Sequence, residues 1–168
     1  MATTKTDAMT PPPTGDATTG EIDRSLLSVA RVMNQVRVHS KLRAQAGVDI
    51  DRAGAAVLYK LLVEVDSLRL CDLAERLGID SPAVTRKVQQ LEHLALVARS
   101  ADPDDGRASR LVLTDDGRGT IERLLGARRA WLEGLLSEWP AADRIEFARL
   151  LHRFATTIED DVEVRHGH

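Results

Sequence analysis

A chain of 168 residues with 43% hydrophobic side chains fits one compact domain with a tail and needs no second domain. Only 3% of residues are aromatic, so the core must be built from Leu, Val, Ile and Ala, which fill helix-helix seams and favour a mainly α fold. The absence of a long apolar run or signal-peptide core, the single Cys71, and a net charge of −3 argue against a membrane protein, a disulfide framework and a nonspecific nucleic-acid coat, leaving a cytoplasmic protein as the expectation.

Residues 1–20 are rich in Thr, Pro, Gly and Asp and offer too little apolar surface to offset ordering, so a disordered arm is expected there. Ile22, Leu26, Val29, Met33 and Val36 then recur at spacings of four and three, which predicts one long helix ending near Gly47. Asp51 is placed to cap a second helix that buries Ala55, Leu58, Leu61 and Leu62, followed by a turn over Glu64 to Ser67 and a short extended piece. A third helix is expected from Leu70 to Leu77, stopped by Gly78. Ser81 followed by Pro82 reads as an N-cap with proline at the first helical position, opening a fourth helix with Val84, Val88, Leu91 and Leu94 inward.

From Val97 the helical period disappears. Two short runs, Val97 to Ser100 and Ser109 to Leu113, flank Asp102-Pro103-Asp104-Asp105-Gly106-Arg107, whose composition predicts a β-hairpin. Thr114 caps a long helix with Asp115 and Asp116 in its positive first turn, ended by Pro140 near Trp139. A last helix, about Ala142 to Asp161, repeats apolar residues at Ala148, Leu151, Ala155, Ile158 and Val162. The first and last helices carry aliphatic stripes that so small a lobe cannot cover, which calls for a second copy of the chain.

Helix, turn, helix and hairpin from Leu70 to Thr114 make a winged helix-turn-helix, with Ala74 allowing close helix approach and Ile79 lying apolar beneath the turn. With Val84, Val88 and Leu91 facing the core, Ala83, Thr85, Arg86, Gln89 and Gln90 fall on the outward side. Arg, Gln and Thr hydrogen-bond base edges and phosphates, Arg favouring guanine and Gln favouring adenine, and Arg86 and Gln90 are the foremost candidates. Read alone, the same residues also fit an ordinary solvated helix face. The hairpin that follows favours the DNA reading.

The segment LAERLGIDSPAVTRKVQQLEHLALVARSADPDDGRASRLVLTDDG resembles the core signature of MarR-type regulators, in register from the helix-turn-helix through the wing. The resemblance implies a mainly α fold, a winged helix-turn-helix with a β-hairpin wing and long N- and C-terminal dimerisation helices. It divides the chain into an arm over 1–20, a dimerisation helix over 21–50, a DNA-binding lobe over 51–114, C-terminal dimerisation helices over 115–162 and a mobile tail over 163–168. It also implies a homodimer on a pseudo-palindromic DNA operator, commonly a repressor released by a small lipophilic ligand or by oxidation. Ser81, Ala83, Thr85, Arg86, Gln89 and Gln90 would meet DNA, and Arg107 stands where the family's wing arginine enters the minor groove, which suits a guanidinium at a hairpin tip. Pro103 departs from the pattern, standing where many members carry a further Arg, and Arg110 is the candidate to substitute in part.

The resemblance places a ligand site between the dimer helices and the lobe, lined by Val36, His39, Leu58 and Trp131. His39 fits a hydrogen-bonded structural role as well. Cys71, in the first turn of its helix, is either a redox switch or a passive residue. Of the wing aspartates, one is expected to pair with an Arg and brace the wing, while Asp102 before Pro103 reads as a turn former. His152, His166 and His168 form no zinc pattern, and neither a cofactor nor a catalytic constellation is expected. The acidic balance keeps a second reading open, a winged-helix module that binds a protein partner without DNA affinity.

Overall fold

The computed structural model describes residues 15–64, 67–102 and 109–166. Among the described residues, seven helices and three short strands follow in the order α1 (Gly15–Met33), α2 (Val36–Ala46), α3 (Arg52–Val63), β1 (Leu68–Arg69), α4 (Leu70–Leu77), α5 (Ser81–His93), β2 (Val97–Ala101), β3 (Ser109–Leu113), α6 (Asp115–Leu135) and α7 (Ala141–His166). The strands form one antiparallel sheet in the order β1-β3-β2, with Leu68 opposite Leu111 and Val97 opposite Leu113.

Local chemistry explains most boundaries. The Asp51 carboxylate accepts the Gly54 N–H at 2.8 Å and starts α3, and the Thr114 hydroxyl accepts the Gly117 N–H at 2.9 Å and starts α6. Gly47 and Gly78, at φ 62° and 60°, take the left-handed conformation that closes α2 and α4. The core of the lobe lies where α3, α4, α5, β3 and α6 converge, with Val57, Leu58, Leu73, Val84, Val88, Leu91, Leu111 and Ile121 almost wholly buried. Burying each such side chain stabilises by about 1.5–3 kcal/mol before the entropy of ordering is counted.

Several expectations are corrected. The helix anticipated from Ile22 to Gly47 is broken at Asn34 and Gln35, where Gln35 is extended (φ −68°, ψ 135°). The apolar stripe runs on through Met33 and Val36 and so hides the break. Gly15 to Gly20, read as part of the arm, already belong to α1, whereas residues 1–14 lie outside the described residues. Asp80, not Ser81, caps α5, its carboxylate accepting the Ala83 N–H at 2.8 Å, which moves Ser81 and Pro82 into the first turn. Leu94 sits at the C-cap of α5 and is exposed, as is Ile79. The helix α6 ends at Leu135, before Pro140, because Leu136 to Trp139 form a turn; the rings of Trp139 and Phe147 then meet 5.5 Å apart across it.

The two chain ends behave differently from the lobe. Every described side chain of α7 through Val162 is exposed, including Ile145, Leu151 and Ile158, and so are Ile22, Leu26 and Val29 of α1. Among the described residues, no helix is long and apolar enough to cross a membrane.

Candidate nucleic-acid interface

The buried stripe Val84, Val88 and Leu91 seats α5 on α3 and α4, which turns Arg86, Gln89, Gln90 and His93 outward at spacings of three and four. Ser81 is exposed at the N-terminal end of the same helix. Ala83 and Thr85 are half-buried, and the Thr85 hydroxyl donates back to the Ser81 carbonyl at 2.7 Å. Arg86 makes no hydrogen bond or ion pair among the described residues, so its guanidinium is available to an external acceptor.

A second set of contacts joins the outward face to the start of α3. The Lys87 ammonium donates to Asp51 Oδ2 at 2.6 Å and to Gln90 Oε1 at 2.7 Å. Burial alone would raise the Asp51 pKa. The Lys87 hydrogen bond, the Gly54 N–H, and the positive charges of Lys87 and His39 outweigh it and hold the carboxyl below its usual value. Sequence reasoning found Asp51 only as a cap and passed over Lys87. The available signal was the placement of residues 87 and 90 one turn apart on α5.

Just beyond the end of β2, Asp102 is buried and accepts from Arg69 Nε at 2.7 Å and Arg110 Nε at 3.0 Å, while Arg110 Nη1 donates to the Ser67 carbonyl at 3.3 Å. Two expectations change here. Asp102 is a structural brace and not merely a turn former. Arg110 is half-buried within that brace, its guanidinium engaged by Asp102 and by the Ser67 carbonyl. The middle of β2 is tied to α5 by Arg99, which donates to Glu92 at 2.7 Å and to Ser109 at 3.1 Å. Arg107 lies outside the described residues, as do Pro103, Asp104, Asp105 and Gly106.

The four residues expected to line a ligand site do not come together. Leu58 is fully buried in the core and presents no surface, Val36 is 80% exposed, and Trp131 lines a separate shallow depression with Lys41 and Leu135. His39 does line a cavity of about 360 Å³ between α1, α2, α3 and α6, with Met33, Leu42, Ile121 and Leu124 on its walls. Arg52, Tyr59 and Arg128, which sequence reasoning missed, supply its polar groups. His39 Nε2 stands 3.3 Å from the Ile50 carbonyl, so one nitrogen is engaged in holding the segment that leads to Asp51. Cys71 is exposed in α4, and its S–H donates to the Asp72 carboxylate at 3.3 Å. Reactive cysteines lie beside cations, and here the neighbour is acidic. Among the described residues no group of three or more His, Cys, Asp or Glu could hold a metal ion.

A short helix, a glycine turn, a helix with a polar outward face and a hairpin pinned to its end define a winged helix-turn-helix. The model of the MarR family matches residues 56–109. The chain is 33% identical to the HTH-type transcriptional regulator YdgJ of Bacillus subtilis over 61% of this chain and 63% of that protein. It is 31% identical to the regulator YxaD of the same organism over 58% of this chain and 68% of that one. Among solved structures, a MarR family protein from Bacillus stearothermophilus superposes with a TM-score of 0.76 at 20% identity, covering 88% of this chain and 99% of the other. The PcaV transcriptional regulator of Streptomyces coelicolor, solved with its natural ligand, superposes with a TM-score of 0.54 at 27% identity, covering 76% and 89%. The chain therefore belongs to the MarR family, whose members are transcription regulators and not enzymes.

Proposed function

We propose that this protein is a sequence-specific DNA-binding regulator that acts as a homodimer on a pseudo-palindromic operator, with α5 in the major groove and the wing on the flanking minor groove. The observation that carries the reading is the outward row of Arg86, Gln89, Gln90 and His93, held rigidly by the buried stripe on the opposite side of the same helix. Arg107, between β2 and β3 in the sequence, is assigned the minor-groove contact. The uncovered apolar faces of α1 and α7 supply the surface on which a second copy would pack, and a two-fold dimer presents two reading helices to two half-sites about one helical turn apart.

A small ligand as the releasing signal is supported by the His39 cavity, which lies between α1, α2, α3 and α6 and combines apolar walls with two arginines. Oxidation is less well supported, since Cys71 sits next to a carboxylate. Repression is the expected sense of control.

The test is fluorescence anisotropy on duplex DNA from upstream of the protein's own gene, comparing wild type, Arg86→Ala and Arg107→Ala across a salt series. Tight binding that weakens steeply with salt and falls on the order of tenfold or more in either variant is expected. Wild type that ignores both this duplex and a randomised pool at low salt would overturn the reading and favour a module that docks on a protein partner.

A further inference from the structure

The contact between Lys87 and Gln90 fixes more than a side-chain position. An ammonium has hydrogens to give and no lone pair to receive one, so the atom of Gln90 facing Lys87 Nζ at 2.7 Å must be the carbonyl oxygen. The carboxamide is thereby oriented. Its NH2 has no partner among the described residues and is left to the exposed side of α5. Lys87 is itself held. Its side chain is only 19% exposed, and its ammonium is anchored 2.6 Å from Asp51 Oδ2. Asp51 is fixed in turn by capping α3, and Gly54 leaves room for it, since a Cβ there would stand 3.1 Å from Asp51 Oδ1.

We propose that Lys87 is a positioning residue for base recognition, holding Gln90 so that it offers its NH2 as a donor and selects a hydrogen-bond acceptor on the base edge. A freely turning glutamine pairs best with adenine, receiving from N6 and giving to N7 at once. With its oxygen turned toward an anchored cation, one lone pair is taken and the NH2 is the freer group to meet a base. Gln90 then favours an edge that offers acceptors alone, guanine (O6 and N7) or thymine (O4); adenine keeps N7 as an acceptor but sets its N6 donor beside it and forfeits the second bond, so the preference for adenine drawn from the residue type alone is lost. The proposal rests on α5 being the DNA-reading helix.

The test is selection from a randomised duplex pool, followed by binding measurements, for wild type, Lys87→Met, Gln90→Ala and the double variant. Wild type is expected to prefer guanine or thymine over adenine at one position of each half-site, and Gln90→Ala to lose that preference. Lys87→Met, which keeps the aliphatic stem, should lower the discrimination against adenine at that position on the order of tenfold. In the Gln90→Ala background, Lys87→Met should leave base preference unchanged, because its effect acts through Gln90. Asp51→Asn, which keeps a capping oxygen but removes the charge that anchors Lys87, should act in the same direction and serves if Lys87→Met does not fold. Equal weakening for all sequences by Lys87→Met, or an effect that persists without Gln90, would make Lys87 a phosphate contact or a packing group and overturn the proposal. Wild type that selects no sequence at all fails the DNA-binding reading itself. Wild type that selects an operator whose bases are indifferent to Lys87 overturns only this inference.

Discussion

Gly117 has no room for any side chain. A Cβ at this position would lie 2.0 Å from the Leu96 carbonyl oxygen, a backbone atom that cannot swing aside. The approach is close because Thr114, one turn earlier, donates its hydroxyl to the Ala95 carbonyl at 2.8 Å and its N–H to that of Leu96 at 3.3 Å, drawing the start of α6 onto the end of α5. Gly117→Ala is therefore expected to destabilise the fold by about 3 kcal/mol or more, read as a fall in the denaturation midpoint. The neighbouring Ala95 has φ 57°, a left-handed conformation that costs an L-residue roughly 1–2 kcal/mol. Ala95→Gly should relieve part of that strain and raise Tm by about 2–4 °C, an outcome that differential scanning calorimetry would check. Asp51 carries a pH signature. Its folded carboxyl is a stronger acid than the unfolded one, so its contribution to stability is complete above the ordinary value of 3.8 and is lost as pH falls through the lower folded value. Melting wild type and Asp51→Asn from about pH 6 downward should show a stability gap that closes below that value.

At the scale of elements, the wing is secured just beyond the end of β2 by a buried carboxylate shared between two arginines. Asp102→Ala would leave Arg69 and Arg110 facing one another without their common acceptor, and a loss of about 1–3 kcal/mol is expected by chemical denaturation. Operator affinity should fall further than stability accounts for, since the hairpin would no longer hold its angle to α5. The brace also marks the limit of what the sequence discloses. Asp51, Gly78 and Thr114 were legible because a cap or a stop acts within three residues of itself. Asp102 and Arg69 lie 33 residues apart, and it takes β1, β3 and β2 assembled in one sheet to bring them together. Ser81 and Asp80 are both able to cap and stand side by side, so composition could not choose between them. Periodicity placed Leu58 on the inward face correctly, yet it could not tell a residue sealed in the core from one lining a cavity. The polar groups of that cavity, Arg52, Tyr59 and Arg128, lie on separate turns and helices and meet only in three dimensions. The outward row of α5 was readable because one helix face is a purely local property.

Taken whole, the molecule has a self-sufficient lobe and two apolar ends without cover. Ile22, Leu26 and Val29 at one end, and Ile145, Leu151 and Ile158 at the other, remain open to solvent, an apolar expanse that a lone chain seldom leaves uncovered. Sedimentation of the full chain should therefore show a two-fold species at micromolar concentration, and Leu151→Glu combined with Ile158→Glu should convert it to a monomer with the lobe still folded by circular dichroism. Operator affinity is expected to fall with it, because one half-site alone retains only one set of contacts. The open ends also bear on dosage. Where most chains are unpaired, the amount of assembled regulator rises with the square of chain concentration, so halving synthesis would lower operator occupancy about fourfold while the operator is mostly free. The response of the controlled gene to protein supply would then be steeper than a monomeric reader could give.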